Sequence, residues 1–155
     1  MEKVVDIAKY LSKEYSSEKK EYIDEMKLHK MAFFIQKESF SKYGEAMFEE
    51  DFEGWKLGPV CREIRKNFEE IKRFKGEIFL EKENKETIDD IFKKYKDMDS
   101  YRLSYLTHLQ YSWIKSRIGI ENGQNGNVII PKEDIFLDAR EQNERTSSSI
   151  AVNEE

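Results

Sequence analysis

A chain of 155 residues is long enough for one domain with a buried core and short for two. Its 27 basic and 32 acidic residues leave a net charge of −5, which disfavours a general nucleic-acid binder because such proteins normally present a basic surface. A mean hydropathy of −0.83 argues against a membrane protein, and 13% aromatic residues argue against a fully disordered chain.

Two amphipathic helices are predicted in the first part of the chain. Apolar residues recur at helical spacing from Val4 to Tyr15, and a polar linker follows at residues 16–20. The second helix has a wider apolar surface, with Asp24 as its expected N-cap and Gly44 as its terminator. Its inward stripe is expected to comprise Leu28, Met31, Ala32 and Ile35. We expect this second helix to lie at the centre of the fold.

The middle of the chain changes character at residues 45–57. Aromatic residues among acids, with Gly54 inside, predict a short extended or hairpin segment. Pro59 is expected to open the next helix, because a first-turn proline loses no hydrogen bond. The apolar residues expected on that helix are Val60, Ile64, Phe68 and Ile71.

The remaining chain predicts a short extended piece at residues 76–80 and further helices. One begins at Thr87, which would form a capping pair with Asp90, and one is capped by Ser100 and continues to Gly119. Residues 128–130 predict a short strand, and Pro131 opens a last helix. The fold class is therefore mainly α, a compact single-domain helical bundle with a short hairpin, covering residues 3–142 and followed by a flexible polar tail at 143–155.

Few residues could support chemistry. The lone cysteine, Cys61, cannot form an intramolecular disulfide, and with no signal-peptide pattern after Met1 we expect a reducing cytoplasm. Cys61 could be a nucleophile at a helix start or a small buried apolar residue, and the second reading is favoured. His29 has no metal-ligand partner at helical spacing, and the acids at residues 49–53 lack the pattern of a calcium loop. We predict no enzyme activity, no cofactor and no metal.

Two signature segments extend this interpretation. The first is Lys27-Leu28-His29-Lys30 to Phe34, followed by Phe48 and then Asp51-Phe52-Glu53-Gly54-Trp55-Lys56-Leu57-Gly58-Pro59-Val60. The second is Leu103-Ser104-Tyr105-Leu106-Thr107-His108 with Trp113. Together they resemble the Panacea antitoxin domain family, which includes SocA-type antitoxins, over roughly residues 3–140. The chain departs at His29, where the family usually has glutamine, and at Gly54, where it often has alanine.

The resemblance implies a helical domain of toxin–antitoxin modules, phages and mobile elements, whose partner is a protein. Members neutralise toxins by direct contact, and some deliver the toxin to an AAA+ protease. Aromatic anchors surrounded by charge suit such a role. The expected contact face comprises Trp55, Lys56, Arg62, Thr107 and His108.

Three other readings stay open at this point. The chain could be a phage or mobile-element accessory protein that inhibits a host defence enzyme, and the same fold would serve. It could also be a protease adaptor. A nucleic-acid autoregulator is favoured slightly by Lys56, Arg62, Arg65 and Lys66, and opposed by the net charge, so a nucleic-acid partner is not expected.

Overall fold

A computed structural model describes the backbone of residues 1–154 and the side chains of residues 1–146. Over the described backbone the chain forms eight helices and three strands. In chain order these are α1 Val4–Lys19, α2 Glu25–Tyr43, β1 Phe52–Trp55, β2 Gly58–Val60, α3 Arg62–Lys66, α4 Phe68–Arg73, α5 Lys82–Tyr95, α6 Ser100–His108, α7 Tyr111–Ser116, β3 Ile129–Ile130 and α8 Lys132–Glu154. The predicted fold class, a mainly helical bundle with a short hairpin, is confirmed.

Helix α2 is the centre of the bundle, as its apolar surface predicts. It packs against α1, α5, α6, α8 and β2. Its predicted inward stripe and Phe33 are fully buried, and several of its polar side chains, Lys30 and Gln36 among them, are buried as well. Asp24 caps the helix by accepting a hydrogen bond from the Lys27 N–H, and Gly44 ends it in the left-handed conformation with φ 69°.

The flanking elements follow their periodicity as well. The predicted apolar stripe of α1 is buried, from Val4 through Tyr15. In α8, Ile135 and Ala139 point into the core, and the strand predicted at residues 128–130 is β3. Helix α8 continues through residue 154 and so includes most of the predicted tail, where Asn143 Nδ2 donates to the Ser41 carbonyl. The predicted tail extends to residue 155, and its side chains from residue 147 onward lie outside the described residues.

The three strands form an antiparallel sheet in the order β2-β1-β3, and here the prediction for Pro59 is wrong. Pro59 lies in β2 opposite Gly54 rather than at a helix start. Because β2 is an edge strand, a residue without an N–H is tolerated there. The helix that follows begins at Arg62, and Cys61 is its N-cap.

Helix boundaries elsewhere also differ from the sequence expectation. Residues 62–73 form two short helices broken at Asn67, and within the described backbone residues 76–80 form no strand. Thr87 lies inside α5, where its hydroxyl donates to the Glu83 carbonyl, so it does not cap that helix. The cap of α6 is Asp99 rather than Ser100, because the Asp99 carboxylate accepts from two first-turn N–H groups. The helix predicted to run to Gly119 is divided into α6 and α7.

Candidate functional site

The connection between β1 and β2 is held by its backbone carbonyls. We call residues 55–58 the hairpin turn. Four carbonyls in this turn and directly beside it accept hydrogen bonds from side chains of three helices and the residues that flank those helices. The donors are Arg117 Nη1 to Gly54 O at 3.1 Å, Trp113 Nε1 to Trp55 O at 2.8 Å, Ser104 Oγ to Leu57 O, and Lys30 Nζ to Pro59 O at 3.0 Å. Because these donors come from α2, α6 and the α7 region, the position of the turn is fixed by the packing of the bundle.

Two glycines allow the backbone of the hairpin to lie close to the helices that hold it. A Cβ on Gly54 would lie 1.9 Å from Ser116 Oγ, which is inside any van der Waals contact. A Cβ on Gly58 would lie 2.5 Å from Thr107 Oγ1 and 2.8 Å from Lys30 Cε, and Gly58 also has φ 116°. The backbone at both positions therefore approaches the helices at distances that only glycine permits.

Thr107 and His108 lie beneath the hairpin turn. Thr107 is fully buried, and its hydroxyl donates to the Ser104 carbonyl at 2.6 Å. The His108 ring stacks on Trp113, with ring centroids 4.0 Å apart and planes 8° from parallel. Desolvation, then the positive charges of Lys30 and Arg117, lower the pKa of His108, so at neutral pH it is a neutral ring that supports Trp113.

Lys30 is the least expected member of this support. Its side chain is almost fully buried in α2, and its ammonium donates to the Pro59 carbonyl. Burial lowers its pKa from 10.5 to about 8, which leaves it mostly protonated at neutral pH. The charge therefore strengthens the hydrogen bond that anchors β2, at the cost of desolvating an ammonium.

The outer surface of the turn combines an aromatic ring with cations. The guanidinium carbons of Arg62 and Arg65 lie 5.6 Å and 5.1 Å from the centroid of the half-buried Trp55 ring. Glu53 holds two of these groups, since its carboxylate accepts from Trp55 Nε1 at 3.0 Å and from Arg62 Nε at 2.6 Å. We call Trp55, Lys56, Leu57, Arg62 and Arg65 the turn face.

A buried histidine positions Arg65. His29 Nδ1 accepts a hydrogen bond from the Cys61 N–H at 3.2 Å, which assigns the ring proton to Nε2. That nitrogen donates to Glu25 Oε2 at 3.0 Å, and Arg65 Nη1 donates to the same oxygen at 3.0 Å. The hydrogen bond from His29, together with the positive charge of Arg65, lowers the pKa of Glu25. Burial lowers the pKa of His29, so the neutral ring links the start of α3 to the carboxylate that holds Arg65.

A cavity of about 400 Å³ opens between the turn face and the start of α2. Its lining includes the apolar side chains of Met26, Leu57 and Val60, together with Trp55 and Arg65. Leu57 is 42% exposed although its carbonyl is held, so an apolar side chain is presented on a rigid backbone. A cavity of this kind can receive an apolar side chain of a partner protein, and the nearby cations can pair with acidic residues beside that side chain.

The predicted contact residues fall into two groups. Trp55, Lys56 and Arg62 share the turn face, whereas Thr107 and His108 form its support. Sequence reasoning missed Lys30 as a supporting residue, because a lysine in a helix normally lies on the solvated face. The spacing of Lys30 in α2 gives no signal to the contrary.

The other candidate residues do not form a reactive centre. Cys61 is fully buried, as expected for a small apolar residue, and desolvation raises the pKa of its thiol to about 12. Among the residues whose side chains are described, no three His, Cys, Asp or Glu groups are placed to hold a metal ion. In the acidic segment, Asp51 pairs with Lys132 and Glu53 with Arg62. No helix in the described part of the chain is long and apolar enough to cross a membrane.

Comparison with known proteins gives one match. A family model described as "Antitoxin SocA-like, Panacea domain" matches residues 28–114, which is more than half of the chain. The match begins in α2 and ends in α7, so it includes β1, β2 and the residues that hold the hairpin turn, apart from Arg117. No curated protein matches the chain, and no solved structure does.

Proposed function

The chain belongs to the SocA-like Panacea antitoxin family, and we propose that it neutralises a partner toxin by direct, non-catalytic contact through the turn face. Membership suggests a toxin–antitoxin role in general terms, with a protein as partner. The mode of neutralisation and the surface that performs it are the proposal.

One observation carries the proposal. Side chains from three helices and their flanks hold the carbonyls of four residues in and beside the hairpin turn, Gly54, Trp55, Leu57 and Pro59. The side chains of Lys56 and Leu57 at its tip are nevertheless exposed. A rigid tip that exposes apolar and cationic groups loses little conformational entropy on binding. Such preorganisation suits a binding surface.

The chemistry of the face indicates what its partner presents. Arginine and tryptophan are the side chains that most often dominate the energy of protein interfaces, and here they lie in contact. The cations of Lys56, Arg62 and Arg65 favour a partner with acidic groups around an apolar side chain that enters the cavity. A stable complex is expected to bury at least about 1,000 Å² in total.

The first experiment is co-expression with the product of the neighbouring gene. Neutralisation predicts that growth arrested by that product is restored, and that the two proteins elute together on gel filtration. Absence of both restored growth and a complex would contradict a role as the antitoxin of that neighbour. The same assay with host enzymes would then test the alternative that this protein inhibits a host enzyme.

Matched variants assign the surface. Lys56→Glu combined with Leu57→Asp changes the turn face at exposed side chains, so the fold is expected to be retained. The control makes a matching charge reversal and apolar-to-aspartate change elsewhere, as Lys82→Glu with Phe79→Asp, since Phe79 is 88% exposed. We expect the first pair to weaken the complex at least roughly tenfold and the control pair to leave it unchanged. Equal losses of affinity in both pairs would show that the turn face is not the interface.

A titration separates binding from turnover. When both proteins far exceed the dissociation constant, one equivalent should silence about one equivalent of toxin, whereas an enzyme would act at a small fraction of an equivalent. Complete inactivation at that small fraction, without protease, would show that neutralisation is catalytic. An adaptor that delivers its partner to an AAA+ protease predicts loss of the toxin only when protease and ATP are added.

A further inference from the structure

A second surface lies away from the turn face, at the end of α1. We call it the lysine groove; its volume is about 470 Å³, and the residues that define it are Lys13, Lys20, Tyr22, Lys72, Phe74 and Lys75. They come from the last turns of α1, the connection to α2, and the segment around the end of α4. This groove has no part in the support of the hairpin turn.

The groove has an aromatic component held between cations. The Tyr22 ring is half exposed, with Lys72 Nζ 5.5 Å and Arg73 Cζ 5.6 Å from its centroid. Lys13 Nζ donates to the Gly76 carbonyl at 2.8 Å, which ties α1 to the segment that follows α4. The groove is therefore shaped by a contact between two distant parts of the chain.

Its charge is opposite to that of the whole protein. Four lysines and one acid, Glu21, line the groove, while the chain carries a net charge of −5. Lys13 and Lys72 have acidic partners, Glu77 and Glu69. Lys20 and Lys75 are exposed, and neither forms an ion pair with any side chain that the structure describes.

The backbone at Lys20 strengthens this observation. Lys20 ends α1 in the left-handed conformation with φ 60°, a position at which glycine is the favoured residue. It is the one non-glycine residue with positive φ in the described chain. A lysine there places an unpaired cation at the groove in spite of an unfavourable backbone.

We propose that the lysine groove binds a short acidic peptide segment of a partner protein, with one apolar or aromatic side chain of that segment packed against Tyr22 and Phe74. The carboxylates would pair with Lys20 and Lys75, the two cations of the groove that form no ion pair with a side chain of residues 1–146. This inference is independent of neutralisation through the turn face, because it uses a different surface and a different readout.

A peptide fits the groove better than a nucleic acid does. The groove is a single pocket of about 470 Å³, whereas a strand of nucleic acid needs a basic track along several phosphates. Acidic side chains interrupt any such track here, since Glu21 lines the groove and Glu69 and Glu77 pair with its lysines. A single acidic segment with an apolar anchor satisfies both parts of the surface.

The test uses a short fluorescein-labelled peptide with glutamates on both sides of one phenylalanine. Fluorescence anisotropy with the full chain should show saturable binding that weakens as salt rises from about 50 mM to about 300 mM, because surface charges are then screened. A peptide with lysines in place of the glutamates should not bind. A labelled single-stranded oligonucleotide and anionic vesicles are tested alongside.

Paired variants connect binding to the groove. Lys20→Glu with Lys75→Glu should weaken binding of the acidic peptide by roughly tenfold or more. Lys82→Glu with Lys94→Glu changes the net charge equally on α5 and should leave binding within about twofold. Tyr22→Ser should weaken binding of the phenylalanine peptide but not of a version with serine in that position. Thermal melts check that each variant is folded.

Three results would overturn the proposal. They are no preference for the acidic over the lysine peptide, equal losses in the two charge-reversed pairs, and tighter binding of the oligonucleotide or the vesicles than of the peptide. Restored growth in the co-expression assay is measured on the same variants. Intact neutralisation by the Lys20→Glu, Lys75→Glu protein, with peptide binding lost, is expected if the two surfaces act separately.

Discussion

The buried ammonium of Lys30 makes the stability of this fold depend on pH in a direction that can be calculated. The pKa of Lys30 falls from 10.5 to about 8 on burial. Between those values the unfolded chain holds a proton that the folded chain has released. Unfolding then binds a proton, so the free energy of unfolding rises with pH in this interval, and that stability is lost as the pH falls through about 8.

The size of the effect follows from the same two values. At 1.36 kcal/mol per pKa unit, the contribution of Lys30 to the unfolding free energy increases by up to about 3 kcal/mol from pH 8 to pH 10.5. Other groups titrate nearby with the opposite sign. The pKa values of Cys61 and Tyr10 are raised to about 12, so both reduce stability as the pH rises above their unfolded values. The pH dependence of the wild-type protein alone therefore does not isolate Lys30.

A difference measurement removes those contributions. Lys30→Met keeps an unbranched apolar side chain only one heavy atom shorter and removes the ammonium. It leaves the Pro59 carbonyl without its donor, a loss that does not vary with pH. Urea unfolding of both proteins at intervals from pH 7.5 to 10.5 should show wild type gaining about 2–3 kcal/mol relative to the variant. Lys82→Met changes an exposed position on α5, and its free energy of unfolding should follow that of wild type across this pH range. A constant difference between wild type and Lys30→Met would refute the reasoning that burial depresses this pKa.

Three further predictions concern the core and the support of the turn. Met31→Asp places a carboxylate at a fully buried position of α2 and should lower the unfolding free energy by about 3 kcal/mol or more, whereas a melt close to wild type would remove Met31 from the core. Gly54→Ala should cost about 1–3 kcal/mol because its Cβ meets Ser116, and adding Ser116→Gly should recover part of that loss; additive losses in the double variant would contradict the steric explanation. Cys61→Ala should retain neutralisation, and the wild-type thiol should react slowly with iodoacetamide at pH 8, since its pKa is about 12; loss of function in a folded variant would restore a role for the thiol.

The sequence alone determined the elements whose signal is local. The stripes of α1 and α2, the cap at Asp24 and the end at Gly44 are read from residues within one or two turns of each other, and the structure confirms them. The same holds for the family, because the resemblance rests on short segments of consecutive residues and the family model matches residues 28–114. Amphipathic periodicity predicts burial well because the residues of a stripe lie on the same side of the helix and are covered together when that side packs into the core.

Only the tertiary structure decided what the lysines and the turn do. Lys30 becomes a buried donor because a strand 29 residues later places its carbonyl above α2. Pro59 becomes a strand residue because β1 supplies an edge to pair with, a partner that overrides the preference of proline for a helix start. Thr107 and His108 lie beneath the turn rather than on its surface, and Lys20 and Lys75 meet at one groove from segments far apart in the chain. Each of these depends on contacts between distant residues, which local spacing does not encode.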